Sequence, residues 1–359
     1  MQVLAADNKE DRSVPIPVAI RAFDPTASAK WDEFVLSHPE GTFFHLTKWK
    51  NVIEKTFGYK PFYFYSERDG RITGIAPLFL IENWVIGRCV HSAPYSAYAG
   101  ICAADEQSER ALIEHAKQFA TTRKADYLEL HQRKSPLFPE FHANTLYTTF
   151  LTELSTNVEA NFKKLPRDTR YMVRKGEKAG LRTQHGVEQL ESFYSLFAES
   201  MQRLGTPVFP KRFFENLVAE FGLQVDVMLV YSGSEAVSGV MSFFFRDAVL
   251  PYFAGASAAA PRLAANNFMY WELMKLAAER GIRIFDFGRS KRNTGAFAFK
   301  SQWGMIEEPL NYQIYLVRRK TIPNFSPVNP KFELAGKLWR RLPRSIARTV
   351  GPHVVRWFP

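Results

Sequence analysis

The sequence predicts a mixed α/β (α+β) fold laid out twice, each copy a sheet flanked by helices. Three observations predict it. At 359 residues the chain is too long for one typical hydrophobic core. One order of elements (strand, turn, two strands, helix, strand) occurs in both halves. The spacings also agree, with 29 residues from Gly100 to Glu129 and 31 from Gly255 to Asp286. Two long copies indicate duplicated domains rather than a solenoid. The expected division is an extension at 1–29, a first domain at 30–152, a second at 153–320 that includes a basic linker helix, and a proline-rich linker with a basic tail at 321–359.

In the first copy, a helix near 46–57 precedes a strand at 60–65, a turn at 67–70 and a strand at 72–81. The strand-like stretch 83–90 and a loop at 91–97 read as about ten extra residues before Tyr98-Ala99-Gly100. A helix over 108–124 follows, with Ser108 as its N-cap, Glu109 in its first turn, and Leu112, Ala116 and Phe119 on one face. The strand 127–131 closes the copy.

The second copy begins with a helix over 188–202, whose Leu190, Phe193, Phe197 and Met201 share a face. Strands at 225–231 and 237–245 flank the turn 232–235, and Tyr252-Phe253-Ala254-Gly255 answers Tyr98-Ala99-Gly100. A helix over 267–280 places Phe268, Trp271, Met274 and Ala278 together and stops at Gly281. The apolar strand 282–287 then runs into a glycine-rich loop, 288–304, that holds a Phe299-Lys300 pair. Four cations crowd this loop: Arg289, Lys291, Arg292 and Lys300.

Between the copies, a basic helix is expected over 167–178, ended by Gly180. Eight Lys and Arg stand against Asp168 and Glu177 between Lys163 and Arg182. Arg167, Arg170, Arg174 and Lys178 fall on one face bordered by Tyr171, which is either a solvated face or a groove for phosphates. Net charge is +11, and ten Lys/Arg against Glu333 after residue 317 account for +9 of it. A positive end of this kind suits an anionic partner. Two short helices broken by Pro343, at 332–342 and 344–350, carry this charge. They either pack on the body or lie on an anionic membrane or RNA.

The two cysteines, Cys89 and Cys102, lack zinc-site or Cys-x-x-Cys spacing. The first residues show no signal-peptide pattern, and no apolar stretch is long enough to span a membrane. The expectation is a cytoplasmic protein, soluble or peripheral at the inner membrane, that uses no metal.

Hydrolytic signatures are absent: no Gly-x-Ser-x-Gly elbow, no His-Glu-x-x-His helix, no P-loop, no Gly-x-Gly-x-x-Gly. Cys89 and His91, two apart, are either a nucleophilic pair or a buried thiol beside an imidazole. His131 reads as a structural residue at a strand edge. What remains is a site that binds and orients. Acyl transfer to an amine fits it, because the acceptor supplies the nucleophile and the protein need only align the reactants and stabilise the oxyanion. Lys300 is the candidate for that charge, with N–H groups near Gly295 and Gly304 assisting.

Three features together, namely the tandem layout, the run Arg167-Asp168-Thr169-Arg170-Tyr171-Met172-Val173-Arg174 and the motif Phe299-Lys300-x-x-Trp303-Gly304, resemble the FemAB-like (Fem-type) transferases. The resemblance is strongest to the FemAB-related, BioF2-like acetyltransferase proteins of exosortase/PEP-CTERM exopolysaccharide loci, and it covers roughly residues 30–318. It implies two GNAT-like domains and transfer of an acyl or aminoacyl group to an amine of an exopolysaccharide or peptidoglycan-type precursor in the cell envelope. It implies an anionic donor or acceptor: tRNA, coenzyme A or a lipid-phosphate-linked precursor. Lys300 would face the acyl centre. Arg167 and Tyr171, with Arg170 and Arg174 behind them, would meet acceptor phosphates. Arg289, Phe299, Trp303 and Tyr98 complete the expected binding set. The chain lacks the long helical arm found in many tRNA-using Fem enzymes and the Gly-rich loop that holds coenzyme A pyrophosphate. The donor therefore stays open between aminoacyl-tRNA and acyl-CoA. The competing expectations are a catalytically silent GNAT-like module that binds RNA or a polysaccharide carrier, and a conventional acetyl-CoA-dependent N-acetyltransferase.

Overall fold

The computed structural model describes residues 18–133, 137–323 and 330–359, with side chains from Leu334 onward in the last segment. Residues 1–17 of the expected extension and 324–329 of the expected linker lie outside the described residues. The first half runs β1 (Ala19–Ala22), α1 (Ser28–Ser37), α2 (Thr47–Phe57), β2 (Lys60–Arg68), β3 (Arg71–Asn83), β4 (Gly87–Ser92), β5 (Cys102–Ala103), α3 (Glu106–Thr122), β6 (Tyr127–Gln132), β7 (His142–Asn144) and β8 (Tyr147–Glu153). The linker region holds α4 (Val158–Lys164) and α5 (Arg167–Lys178). The second half runs β9 (Arg182–His185), α6 (Leu190–Leu204), α7 (Lys211–Phe221), β10 (Val225–Ser232), β11 (Glu235–Phe245), β12 (Ala248–Ala256), α8 (Ala260–Leu263), α9 (Ala265–Glu279), β13 (Ile284–Asp286), β14 (Ser290–Lys291), α10 (Gly295–Ser301), β15 (Ile306–Pro309) and β16 (Asn311–Leu316). The chain ends in α11 (Pro330–Trp339) and α12 (Arg344–Val355).

The duplication is real, and the topology corrects its alignment. In each half two helices precede three antiparallel strands, then a helix, then a strand parallel to the third: β4 beside β6, β12 beside β13. The partner of β12 is therefore β4, the stretch read from the sequence as surplus. Tyr98-Ala99-Gly100 is not a strand and is not equivalent to Tyr252–Gly255. Residue type misled here, because the true counterparts share an apolar period but no motif.

Neither sheet stops at the expected boundary of 152/153. One sheet has the order β1-β2-β3-β4-β6-β16-β7, with β5 on β3; the other has β14-β8-β13-β12-β11-β10-β9, with β15 on β8. Thus β8, from the first half, lies antiparallel between β13 and β14 in the second sheet. Strand β16, from the second half, lies between β6 and β7 in the first. Each half gives a strand to the other. Strand β1, within the expected extension, pairs with β2.

Three cores follow from this layout. Helix α3 covers one face of the first sheet through Leu112, Ile113 and Ala116. Asp105, not Ser108, caps it: the carboxylate accepts the Ser108 N–H at 2.8 Å. Helix α9 covers the second sheet through Phe268, Trp271, Met274 and Ala277. The third core joins the halves, with helices α1, α2, α6 and α7 packed between the sheets. At its centre the Phe43 ring is stacked on Phe221 at 4.0 Å and on Phe243 at 4.4 Å.

Helix α12 extends past the expected end at 350 and packs on the body with Ala347, Gly351 and Val355. Gln202 donates to the Leu342 carbonyl at 2.6 Å, and Tyr95 to the Val355 carbonyl at 3.1 Å. Of the two expectations for the tail, docking on the body holds for α12. No helix among the described residues is long and apolar enough to cross a membrane.

Candidate active site at the ends of two parallel strands

Strands β12 and β13 pair only at Ala248–Ile284 and Val249–Phe285. Strand β12 then continues to Ala256 paired with β11 but not with β13, so the sheet opens between the two parallel strands. Asp286 ends β13, is 3% exposed, and is a hub for both halves. Its Oδ1 accepts the Thr149 hydroxyl at 2.6 Å and the Gly288 N–H at 2.8 Å. Its Oδ2 accepts the Tyr98 hydroxyl. Arg133, just past β6, reaches Asp286 at 4.0 Å and Glu308 at 3.4 Å, with its guanidinium 5.0 Å over the Tyr98 ring. The ends of β6 and β13, one from each half, thus meet at one polar centre. Burial and the Asp286 charge both keep Tyr98 a phenol, its pKa far above the ordinary range.

The Phe-Lys pair is not in a loop. Thr294 caps a short helix, α10, by accepting the Phe297 N–H at 3.3 Å, and Lys300 sits in its last turn. The Lys300 ammonium donates to the carbonyls of Phe287 at 2.6 Å, Gly288 at 3.3 Å and Arg289 at 3.5 Å. It therefore staples the turn after β13, where Gly288 has φ of +65°. Desolvation lowers its pKa to about 8, against the favourable pull of Asp286. Arg289 is exposed as a residue, but its guanidinium lies 5.1 Å over the Tyr147 ring.

The other expected site residues divide. Phe299 is half-buried against Tyr270 and Trp303. Trp303 is 2% exposed, in the α9 core, and its indole N–H has no partner among the described residues. Its place in a motif suggested binding; its size and apolar neighbours put it in the core. On α5, Arg170 donates to the carbonyls of Lys163 and Leu165 at 2.9 and 2.7 Å, and Arg174 lies 5.4 Å over Phe162. Both hold α4 in place. Arg167 and Tyr171 are exposed, Tyr171 at 67%. Helix α5 is bound to the Phe-Lys segment: the Thr169 hydroxyl donates to the Gln302 carbonyl at 2.6 Å, and Gly304, with φ of +68°, packs on Pro166. Two motifs 130 residues apart in sequence are thus neighbours.

Sequence reasoning missed Asp286 as the hub, along with Thr149, Arg133 and Glu308. Asp286 was visible as an acid inside an apolar strand, a signal that went unused. Thr149 and Glu308 are brought side by side only by the exchanged strand β8 and its partner β15, and Arg133 arrives from the end of β6 in the other half.

Cys89 and His91 are not a nucleophilic pair. Burial pushes the Cys89 thiol up to about 12, and it bonds Tyr127. Burial holds His91 down at about 3, and its Nδ1 pairs with the Ser92 carbonyl at 2.9 Å. His131 is not at an edge, since β6 lies between β4 and β16. It stacks on Tyr312 at 3.9 Å. Among the described residues, His91, Glu129 and His131 form the one trio whose ligand atoms lie close enough for an ion, all within 4.8 Å.

Residues 163–301, from α4 to the Phe-Lys helix, match the family model described as an acetyltransferase (GNAT) domain. No curated protein matches the chain in sequence. Among solved structures, FemX superposes with a TM-score of 0.65 at 17% identity, over 89% of this chain and 100% of that one. The C-terminal domain of a putative lysylphosphatidylglycerol synthetase from Agrobacterium fabrum gives 0.57 at 14%, over 82% and 92%. A tandem GNAT protein from the clavulanic acid biosynthesis pathway gives 0.52 at 10%, over 85% and 100%. At these identities the likeness is one of fold, and the fold of this chain is the tandem GNAT fold, with strands exchanged between its two halves.

Proposed function

We propose that the chain is an acyltransferase that moves an acyl or aminoacyl group onto an amine of a cell-envelope precursor, of the exopolysaccharide or peptidoglycan type. The observation that carries this reading is the polar centre at the open end of β12 and β13. Four buried polar atoms on the segments that meet there, near Tyr98, Arg133 and Gly288, have no partner among the described residues: Ser96 Oγ, Gln132 Nε2, Arg133 Nε and Ser290 Oγ. Unsatisfied polar groups are costly and rare, and their concentration beside a cation is what a polar substrate would relieve. In the proposed reaction the acceptor amine attacks the acyl carbon. The new C–N bond forms, the bond to the donor's oxygen or sulfur breaks, and the leaving group takes the proton the amine loses. Lys300 supplies positive charge at the oxyanion by exchanging its longest carbonyl contact, that to Arg289, for the substrate oxygen.

The donor we favour is an aminoacyl ester over free acyl-CoA. The β12-to-α9 connection, Ser257–Ala264, contains no glycine and includes the helical turn α8, so it is not laid out as a Gly-rich phosphate cradle. Arg167 and Tyr171, exposed at the start of α5, are the proposed contacts for acceptor phosphate. The direct test is mass spectrometry of envelope polysaccharide precursors from cells with and without the gene, beside purified protein supplied with aminoacyl-tRNA or acyl-CoA. A missing acyl or aminoacyl mass, reproduced by transfer in vitro from one donor, supports the reading. Unchanged precursors and no transfer from either donor overturn it.

A further inference from the structure

Four large apolar side chains of the two C-terminal helices are left in water. Leu334 and Leu338, four apart on α11, are 61% and 59% exposed. Ile346 and Val350, four apart on α12, are also exposed, beside the stripe of Ala347, Gly351 and Val355 that faces the body. Spacing of four places each pair on one face of its helix. Two more apolar groups adjoin this segment. Leu204 is exposed at the end of α6, where Gly205 packs on the backbone of Gly336. Trp84, 78% exposed, meets Trp357 edge-on at 4.9 Å.

Cations are interleaved with these side chains. Residues 334–359 contain Lys337, Arg340, Arg341, Arg344, Arg348 and Arg356 and no Asp or Glu. Arg344 pairs with Glu199 and Arg348 with Ser195, while Arg340 and Arg341 are exposed. The segment is held rather than trailing, through Gln202 to the Leu342 carbonyl and Tyr95 to the Val355 carbonyl.

We infer that α11 and α12 form a docking surface for an anionic lipid bilayer, lying in the interface plane with the leucine, isoleucine and tryptophan side chains inserted. The two features together point to lipid. Cations alone would suit RNA as well, but RNA gives no reward for leucine pairs held in water, whereas a bilayer both attracts the cations and removes the apolar side chains from water. The inference does not rest on the proposed reaction.

The test is co-sedimentation of the full chain with vesicles of phosphatidylglycerol and phosphatidylcholine, and with phosphatidylcholine alone. Binding is expected only to the anionic vesicles and should weaken with salt. The double variant Leu334→Ser/Leu338→Ser should lower partitioning about tenfold or more, since it removes two large apolar groups from the buried face. Arg340→Glu/Arg341→Glu should abolish it. Circular dichroism reports whether each variant is folded; Leu204→Ser, at the end of α6 and outside α11 and α12, is a second apolar variant if the α11 pair unfolds. No sedimentation with anionic vesicles overturns the inference. So does equal binding by the folded leucine variants, or preferential capture of RNA that the leucine variants leave unchanged.

Discussion

The Tyr98 hydroxyl donates to Asp286 Oδ2, and this single contact joins an irregular segment of the first half to the end of the parallel strand of the second. Both groups are buried, so the bond is strong and its loss is expensive. Tyr98→Phe leaves one carboxylate oxygen without its donor. It should cost about 1–3 kcal/mol in chemical denaturation. Asp286→Asn keeps the shape but weakens three donors' acceptor and removes one of the two carboxylates that face Arg133, so it should lower turnover more than Tyr98→Phe does. If the two variants lose turnover equally, Asp286 matters only as the tyrosine's partner.

Lys300 ties three backbone carbonyls together, and its pKa is lowered to about 8. Transfer that depends on its charge should therefore fall as pH rises through about 8. The stability effect has the opposite sign. The folded-state value lies below the unfolded one, so the unfolded chain binds more protons between about 8 and 10.5, and stability from this group rises across that window. Below pH 8 the burial penalty is fully present. Lys300→Ala should reduce transfer by about 10²-fold or more, and Lys300→Met should abolish the pH-8 limb. An unchanged activity profile in the methionine variant would assign that limb elsewhere.

Arg167 and Tyr171 are exposed on α5, while Arg170 and Arg174 are engaged with α4. The two pairs should behave differently. Arg167→Ala should raise the acceptor KM with little change in thermal midpoint. Arg170→Ala should lower the midpoint, because two carbonyls at the end of α4 lose their donor. The comparison needs only melting curves and acceptor titrations on the two variants.

Phe43 is sandwiched by Phe221 and Phe243 across the two halves. Phe43→Ala should cost about 3–5 kcal/mol, the range for deleting a buried ring. Because this core belongs to both halves, the variant should still unfold in one transition, as calorimetry would show. Two resolved transitions would mean the halves are only loosely coupled.

Much of the fold was legible because its signals are local. The apolar faces of α6 and α9, the bounds of α5 and the two-copy order all follow from periodicity and punctuation. Helix α7 was legible in Phe213, Phe214, Leu217 and Phe221 but went unread beside the stronger pattern of α6. The site was legible in part. Lys300 stood out as a cation after a strand, but its carbonyl partners depend on the turn at Gly288. The burial of Trp303 was not legible, because a motif does not distinguish a core anchor from a contact residue. The hub could not be read, because Thr149 reaches Asp286, and Glu308 reaches Arg133, only through β8 and β15, strands whose pairing spans more than a hundred residues.

That exchange of strands also governs the order in which the chain can fold. Strand β6 stays an open edge until β16, at residues 311–316, arrives to cover it. A ribosome must first make everything between Gln132 and Asn311, so the N-terminal half must wait, with a hydrogen-bonding edge exposed, for this strand. Gene fragments encoding either half alone should yield insoluble protein, and the two duplicated units can no longer be shuffled apart as independent modules.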